Sequence, residues 1–299
     1  LEQDAVSQGG RAKAGAGLGL LWLALCLPGC ALWCPPKEPP PLPLGRQKVI
    51  EALSDGAGYP RAIVDGDARV RLRHRENGDW ETDLTFGAVL AFERSGPALY
   101  LRGEKVGVAL FTLKARGNGF TLRLPDTKEF VHGTRSALRK LPMLVALEQL
   151  ALSLEGPQGL GLDSAHSTFR WDGDEYIFVV RDAVWSPVRE VRVDRRKLVI
   201  SRVSEYGVSG RPVLVLRLSE HGSPKEPPDW PGLVPYRTDI ERPDAGVKAV
   251  VMLSRPRVKE GLPSALFAAR APAGWRSIDL DVEPVDSIRF FQKHGEDSR

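Results

Sequence analysis

The sequence predicts a mainly β fold: a long antiparallel sheet of roughly eleven short strands with two helical elements. Three observations point there. Apolar and polar residues alternate with period two over long stretches, the mark of strands with one buried face. Turn-forming residues separate these stretches at short intervals. Helical spacing of apolar residues occurs only twice in the body, so the strand–helix–strand rhythm of a parallel sheet is absent.

The chain opens on a segment that does not belong to the fold. Arg11 and Lys13 are followed by an apolar run of eleven residues, Gly17 to Leu27. A membrane-spanning helix needs roughly 20 apolar residues, so this run fits the core of a signal peptide. It ends in Leu27-Pro28-Gly29-Cys30, which resembles the lipobox of bacterial lipoproteins, with Pro28 departing from the usual small residue. Residues 1–29 are therefore expected to be a signal peptide, and Cys30 the residue that carries the lipid (diacylglyceryl, with palmitate as the label). An ordinary secretory signal is the alternative. The first residue is Leu1, so an alternative or misplaced start is expected. Residues 30–44 form the lipidated cysteine and a tether. Five of its prolines, at 35, 36, 39, 40 and 41, favour an extended polyproline spacer. Ala31 after the cysteine lacks the aspartate that retains such proteins in the inner membrane. The outer membrane, facing the periplasm, is the expected location.

In the body, Val49, Ile50 and Leu53 give residues 46–57 the apolar stripe of a short helix. Ala68, Val70 and Leu72 then alternate with arginines. The turn Glu76-Asn77-Gly78-Asp79 leads into the clearest strand, with Trp80, Leu84, Phe86, Ala88, Leu90 and Phe92 on one face and acids on the other. Strands are expected at 98–103, 107–115 and 119–124, the last pair joined by Arg116-Gly117-Asn118-Gly119. At 134–153 the period becomes helical, with Thr134 as the cap and Leu138, Leu141, Val145 and Leu152 on the apolar stripe. Pro142 splits this stretch into two short helices or kinks it. Strands resume at 168–172, 175–181, 189–195, 198–205, 212–219, 236–241 and 247–254. Residues 222–235, with five prolines, form a loop, and 287–299 a charged, loose tail.

Composition excludes several functions. All three cysteines (Cys26, Cys30, Cys34) precede the body, which therefore has no disulfide framework or cysteine zinc site. The five histidines are scattered, without metal-ligand spacing. Net charge is +4 with no run of five like charges, so nucleic acid is not an expected partner. Asp172-Gly173-Asp174-Glu175 reads as a hairpin turn in preference to a calcium loop. Gly156-Pro157-Gln158-Gly159-Leu160-Gly161 lacks the lysine of a phosphate loop. No Gly-x-Ser-x-Gly is present. The chain reads as non-enzymatic, with no cofactor.

The order helix, strand meander, helical insert and further strands resembles the lipoprotein-carrier fold of the periplasmic lipoprotein chaperone and the outer-membrane lipoprotein receptor. The stretches that carry the resemblance are Leu101 to Pro125, Phe130 to Gly133, Gly261 to Phe267 and Ala271 to Trp275. It spans about residues 46–283 as a pattern and is weak residue by residue. It implies that residues 45–286 form a strongly curved, incomplete antiparallel barrel closed by short helices, with an apolar cavity for acyl chains. Candidate lipid-binding residues are then Leu84, Phe86, Leu90, Phe92, Phe111, Leu113, Leu138 and Leu141. The expected function is lipid or lipoprotein transfer or sorting in the envelope, with the membrane reached through the lipid anchor. The alternative is a non-catalytic scaffold that binds an envelope protein partner.

Overall fold

The computed structural model describes residues 42–55, 59–76, 79–94 and 98–289. The signal segment, Cys30 and most of the tether lie outside these residues. One helix, α1 (Arg46–Asp55), precedes a meander of six strands: β1 (Ala62–Glu76), β2 (Asp79–Glu93), β3 (Ala98–Lys105), β4 (Val108–Arg116), β5 (Gly119–Leu124) and β6 (Glu129–Thr134). A helical insert follows, consisting of α2 (Arg135–Leu138), α3 (Pro142–Glu148) and a 3-10 turn at Gln149–Leu154. A second meander then runs through β7 (Ser167–Asp172), β8 (Glu175–Arg181), β9 (Pro187–Asp194), β10 (Val199–Tyr206), β11 (Pro212–Gly222), β12 (Val234–Arg242) and β13 (Val247–Met252). Two short strands close the chain, β14 (Arg257–Lys259) and β15 (Arg276–Asp279).

All fifteen strands join one sheet, ordered β15-β6-β5-β4-β3-β2-β1-β13-β12-β11-β10-β9-β8-β7, with β14 also on β1. Every pairing is antiparallel except β15 on β6. The two meanders meet where β1 pairs with β13, Arg69 opposite Met252 through His74 opposite Val247. An open sheet of this width curls. Register shifts between Asp65 and Ala68, Gly103 and Glu104, and Ile200 and Arg202 add local bends. The end strands β15 and β7 do not meet, so the sheet is curved and not closed into a barrel. This is the mainly β, incomplete barrel that the sequence predicts. The strands missed by pattern are β6, β14 and β15.

The main core lies on one face of this sheet. Strand residues such as Val70, Leu90, Leu101, Leu113, Leu122, Phe178, Val193, Leu216 and Val251 pack in a single cluster with Val49, Ile50 and Leu53 of α1 and with the insert. Helix α1 is fixed by its Arg46 guanidinium, which donates to the carbonyls of Leu162 (2.9 Å) and Ser164 (2.8 Å). The Tyr176 hydroxyl accepts from the Leu44 amide at 2.7 Å, anchoring the end of the tether to β8.

The opposite face is partly covered as well. After β14 the chain crosses the outer side of β1 to β5. Leu262 packs there with Ala62 and Ala91, and Leu266 and Phe267 lie against the same cluster. The Arg116 guanidinium lies over the Phe267 ring and Arg123 over Trp275. Lys114 donates to the Ala268 carbonyl at 2.7 Å. This strap then pairs with β6 as β15. Ser287–Arg289, which the sequence reading gives to the tail, make its last described contacts. Ile288 is buried, and the Arg289 amide donates to the buried Glu129 carboxylate at 3.1 Å.

One buried carboxylate organises the centre of the sheet. Asp65 is fully buried at the β1 bulge, beside the break between β13 and β14. Its oxygens accept from the amides of Asp67 (2.7 Å), Ser254 (2.9 Å) and Arg255 (2.7 Å). These amides lie where β1 changes neighbour, and Asp65 supplies the acceptor that a partner strand would otherwise give.

Candidate functional site

The insert lies across the core face of the sheet. Thr134 caps α2 with its hydroxyl, which accepts from the Ala137 amide. Pro142 occupies the first turn of α3, where a missing amide costs nothing, and so splits the segment into two helices. Helix α2 sits on β5 and β6, α3 on β13, β12 and β1, and the 3-10 turn on β12 and β2. Ala137, Leu138, Leu141, Leu144, Val145, Ala146, Leu147, Leu150 and Leu154 are all buried against the sheet.

The eight residues singled out for lipid binding converge on this layer. Phe86, Leu90, Phe92, Phe111 and Leu113 come from the sheet, Leu138 and Leu141 from the insert, and Leu84 packs against them half-buried. Phe86 and Phe111 meet edge to face, centroids 5.3 Å apart at 77°. Gly103 lies beneath this pair. A Cβ there would come within 2.8 Å of the Phe111 ring, so only glycine fits. All eight belong to, or in the case of Leu84 pack against, the one core cluster that also holds the insert.

Measurable space near the insert is of two kinds. An apolar cleft between the 3-10 turn and β10 to β12, bordered by Leu154, Ile200, Leu218 and Pro235, holds about 20 Å³. That is room for about one water. His221 faces this cleft, and burial lowers its pKa from the ordinary value, aided by the Lys197 charge. A larger groove of about 830 Å³ runs between the insert and β10 to β12, and it is polar. Arg135, Arg139, Glu148, Glu205, Arg242 and Asp244 line it. Each carboxylate there has an arginine: Glu148 meets Arg135 at 2.8 Å, Glu205 meets Arg189 at 2.7 Å and Asp244 meets Arg242 at 2.8 Å. Burial pushes the Glu148 carboxyl up, and Arg135 and then Arg139 oppose the shift.

The insert is tied to the C-terminal strap at its entry. Asp281 accepts from the Thr134 amide at 2.8 Å and from the Thr134 hydroxyl at 2.6 Å. These bonds hold its carboxyl below the usual range. Lys140, between α2 and α3, donates to the Leu280 carbonyl at 2.6 Å. Sequence reasoning missed this attachment, since no local pattern links positions nearly 150 residues apart.

The turn Asp172-Gly173-Asp174-Glu175 is the β7–β8 hairpin. Glu175 is engaged by Arg192 at 3.0 Å and by the Ser201 hydroxyl at 3.0 Å. Among the described residues no three histidine, cysteine, aspartate or glutamate side chains converge as a metal site. No helix of the described residues is long and apolar enough to cross a membrane.

No protein-family model and no curated protein matches the chain. Several solved structures follow a similar course. A DUF1329-family protein from Desulfovibrio piger aligns with TM-score 0.49 and 15% identity, covering 75% of this chain and 95% of that one. A domain from Vibrio parahaemolyticus described as an outer membrane lipoprotein-sorting protein aligns with TM-score 0.46 and 13% identity, covering 75% and 97%. A LolA-superfamily protein from Nitrosomonas europaea aligns with TM-score 0.44 and 13% identity, covering 76% and 99%. The chain is distantly similar to all three.

Proposed function

We propose that this protein is a membrane-anchored lipoprotein of the carrier type, whose apolar sheet face takes up lipid or lipoprotein acyl chains in envelope transfer or sorting. The observation that carries this reading is the apolar layer itself. One continuous apolar sheet face is covered by α1 and by an insert of two helices too short to be stable alone. The insert presents the sheet with leucine, valine and alanine side chains, which an acyl chain can replace like for like. The apolar space left beside it is far too small for cargo and the larger groove is polar, so uptake onto the apolar face requires the insert to move. Pro142 supplies a break in the helix, and the polar attachments at Thr134 and Lys140 hold one end.

Anchoring through Cys30 completes the proposal. A lipidated cysteine followed by a proline-rich spacer holds the domain near the membrane it serves, with Ala31 directing it to the outer membrane. Cys30→Ala abolishes palmitate labelling and releases the protein from membranes; persistent labelling refutes the anchor.

The cargo is tested by organic extraction of the purified protein and mass spectrometry, together with hydrogen exchange of residues 135–154 before and after addition of a long-chain fatty acid. Recovered acyl lipid and a change in exchange across the insert are expected. Lipid-free protein whose insert exchanges identically with and without fatty acid overturns the carrier reading. The filled interior then favours the second reading, a scaffold lipoprotein that binds an envelope protein, for which a cross-linked partner is the expected finding.

A further inference from the structure

The β8–β9 and β10–β11 turns leave the same end of the sheet side by side, because β9 and β10 are antiparallel neighbours with Arg189 opposite Glu205. Two strand spacings, about 10 Å, separate the hairpins. Both turns carry apolar side chains into solvent: Val184, Trp185 and Val208 are 78%, 58% and 113% exposed. The first turn is rigidly built. Asp182 accepts through Oδ1 from the amides of Val184 (3.0 Å) and Ser186 (2.9 Å), and the Arg181 guanidinium donates to the Trp185 carbonyl at 2.8 Å. Trp185 adopts φ of +62°, the left-handed region that a bulky side chain rarely enters. A disfavoured backbone is thus maintained at a residue whose indole points outward, with the exposed His166 ring 5.8 Å away.

Charged side chains flank these tips. The Asp182 carboxylate is turned into its own hairpin. Glu205 is paired with Arg189 and Glu190 with Arg192. Arg211 is exposed beside Val208, and Arg181 is half-buried beside Trp185. This end therefore offers apolar tips with Arg181 and Arg211 beside them, and with the Asp182, Glu190 and Glu205 carboxylates engaged.

We propose that these two turns dock into the interfacial layer of an anionic phospholipid bilayer. Tryptophan prefers the headgroup boundary, and arginines are drawn to anionic leaflets. A bilayer also accepts separate convex apolar tips, for which a flat protein surface offers no matching recess. The inference rests on the membrane attachment proposed above and not on the acyl cargo.

The test uses the full chain on vesicles of phosphatidylcholine and phosphatidylglycerol with brominated acyl chains, reading sedimentation and tryptophan emission together. Bromine quenches an indole seated at the interface, so Trp185→Phe is expected to remove about half or more of the quenched emission. The Val184→Ser/Val208→Ser double variant, which keeps the indole, lowers the quenching as well. Circular dichroism of every variant matches wild type, since the three side chains are exposed. Sedimentation with equal quenching of wild type and Trp185→Phe overturns the docking and leaves the attachment standing. A chain that remains in the supernatant overturns both.

Discussion

Replacing Leu138 by alanine tests whether the insert is docked in solution as it is in the structure. The side chain is fully buried between α2 and the sheet. Removing roughly three methylene equivalents at about 0.8 kcal/mol each forfeits about 2.4 kcal/mol of transfer free energy. The residual cavity adds about 1–2 kcal/mol, because tightly packed neighbours relax only in part. The expected loss is therefore about 3.4–4.4 kcal/mol, a large share of the ~5–15 kcal/mol that stabilises an ordinary domain. For a domain of this size that corresponds to a fall in Tm of about 7–18 °C. Urea denaturation followed by circular dichroism measures it directly. A loss below about 1 kcal/mol refutes the reasoning, since it means that α2 rests loosely on the sheet and the apolar face is covered in some other way. Added fatty acid gives a second arm. A ligand at about 100 times its Kd stabilises by about 2.7 kcal/mol if it binds only the folded protein. An unchanged midpoint in both wild type and Leu138→Ala counts against acyl binding.

Two further outcomes follow from single polar groups. Asp65→Ala leaves three part-buried amides without their acceptor and is expected to cost about 3 kcal/mol after partial rehydration, while Asp65→Asn, which retains one oxygen, costs less; equal urea midpoints for wild type and Asp65→Ala rule out this role. Asp281 has a folded pKa below its ordinary value because it accepts from Thr134. Its contribution is therefore complete above the unfolded carboxylate pKa and is lost as pH falls through the folded one. Hydrogen exchange of residues 135–140, corrected for intrinsic rates, is expected to show protection at neutral pH that weakens only in acid. Asp281→Asn shows the weakened protection already at pH 7, and identical protection in the two proteins at pH 7 dismisses the attachment.

Much of this architecture was written in local patterns. The alternation from Trp80 to Phe92 defined a half-buried strand, and Thr134 and Pro142 marked where a helix starts and where it must break. Those signals are local: a cap, a missing amide and a period of two act within a few residues. The strands that escaped notice lack such signals. Strand β6 (Glu-Phe-Val-His-Gly-Thr) does not alternate; its first three residues are all buried. Strand β15 has four residues and owes its existence to parallel pairing with β6.

The binding candidates show the same boundary from the other side. Periodicity identified Phe86, Leu90 and Phe92 as an inward face, and Leu138 and Leu141 as the stripe of the insert. It carried no information on whether the two would leave a cavity between them or fill it. The outward face was legible as polar, yet Ala62, Ala91 and Glu93 are buried on it. By itself the sequence determined the strand-rich composition, the helical break at Pro142, the cysteine-free body and the inward direction of the apolar residues. Only the tertiary structure decided that the insert lies flush on the sheet, that Asp281 and Lys140 tie it to a strap from the far end of the chain, and that Asp65 seals the junction of the two meanders. The strap contacts and the bonds from Asp65 to Ser254 and Arg255 join residues more than a hundred positions apart, and the free energy that selects these arrangements comes from packing and desolvation in the assembled core, which no local pattern encodes.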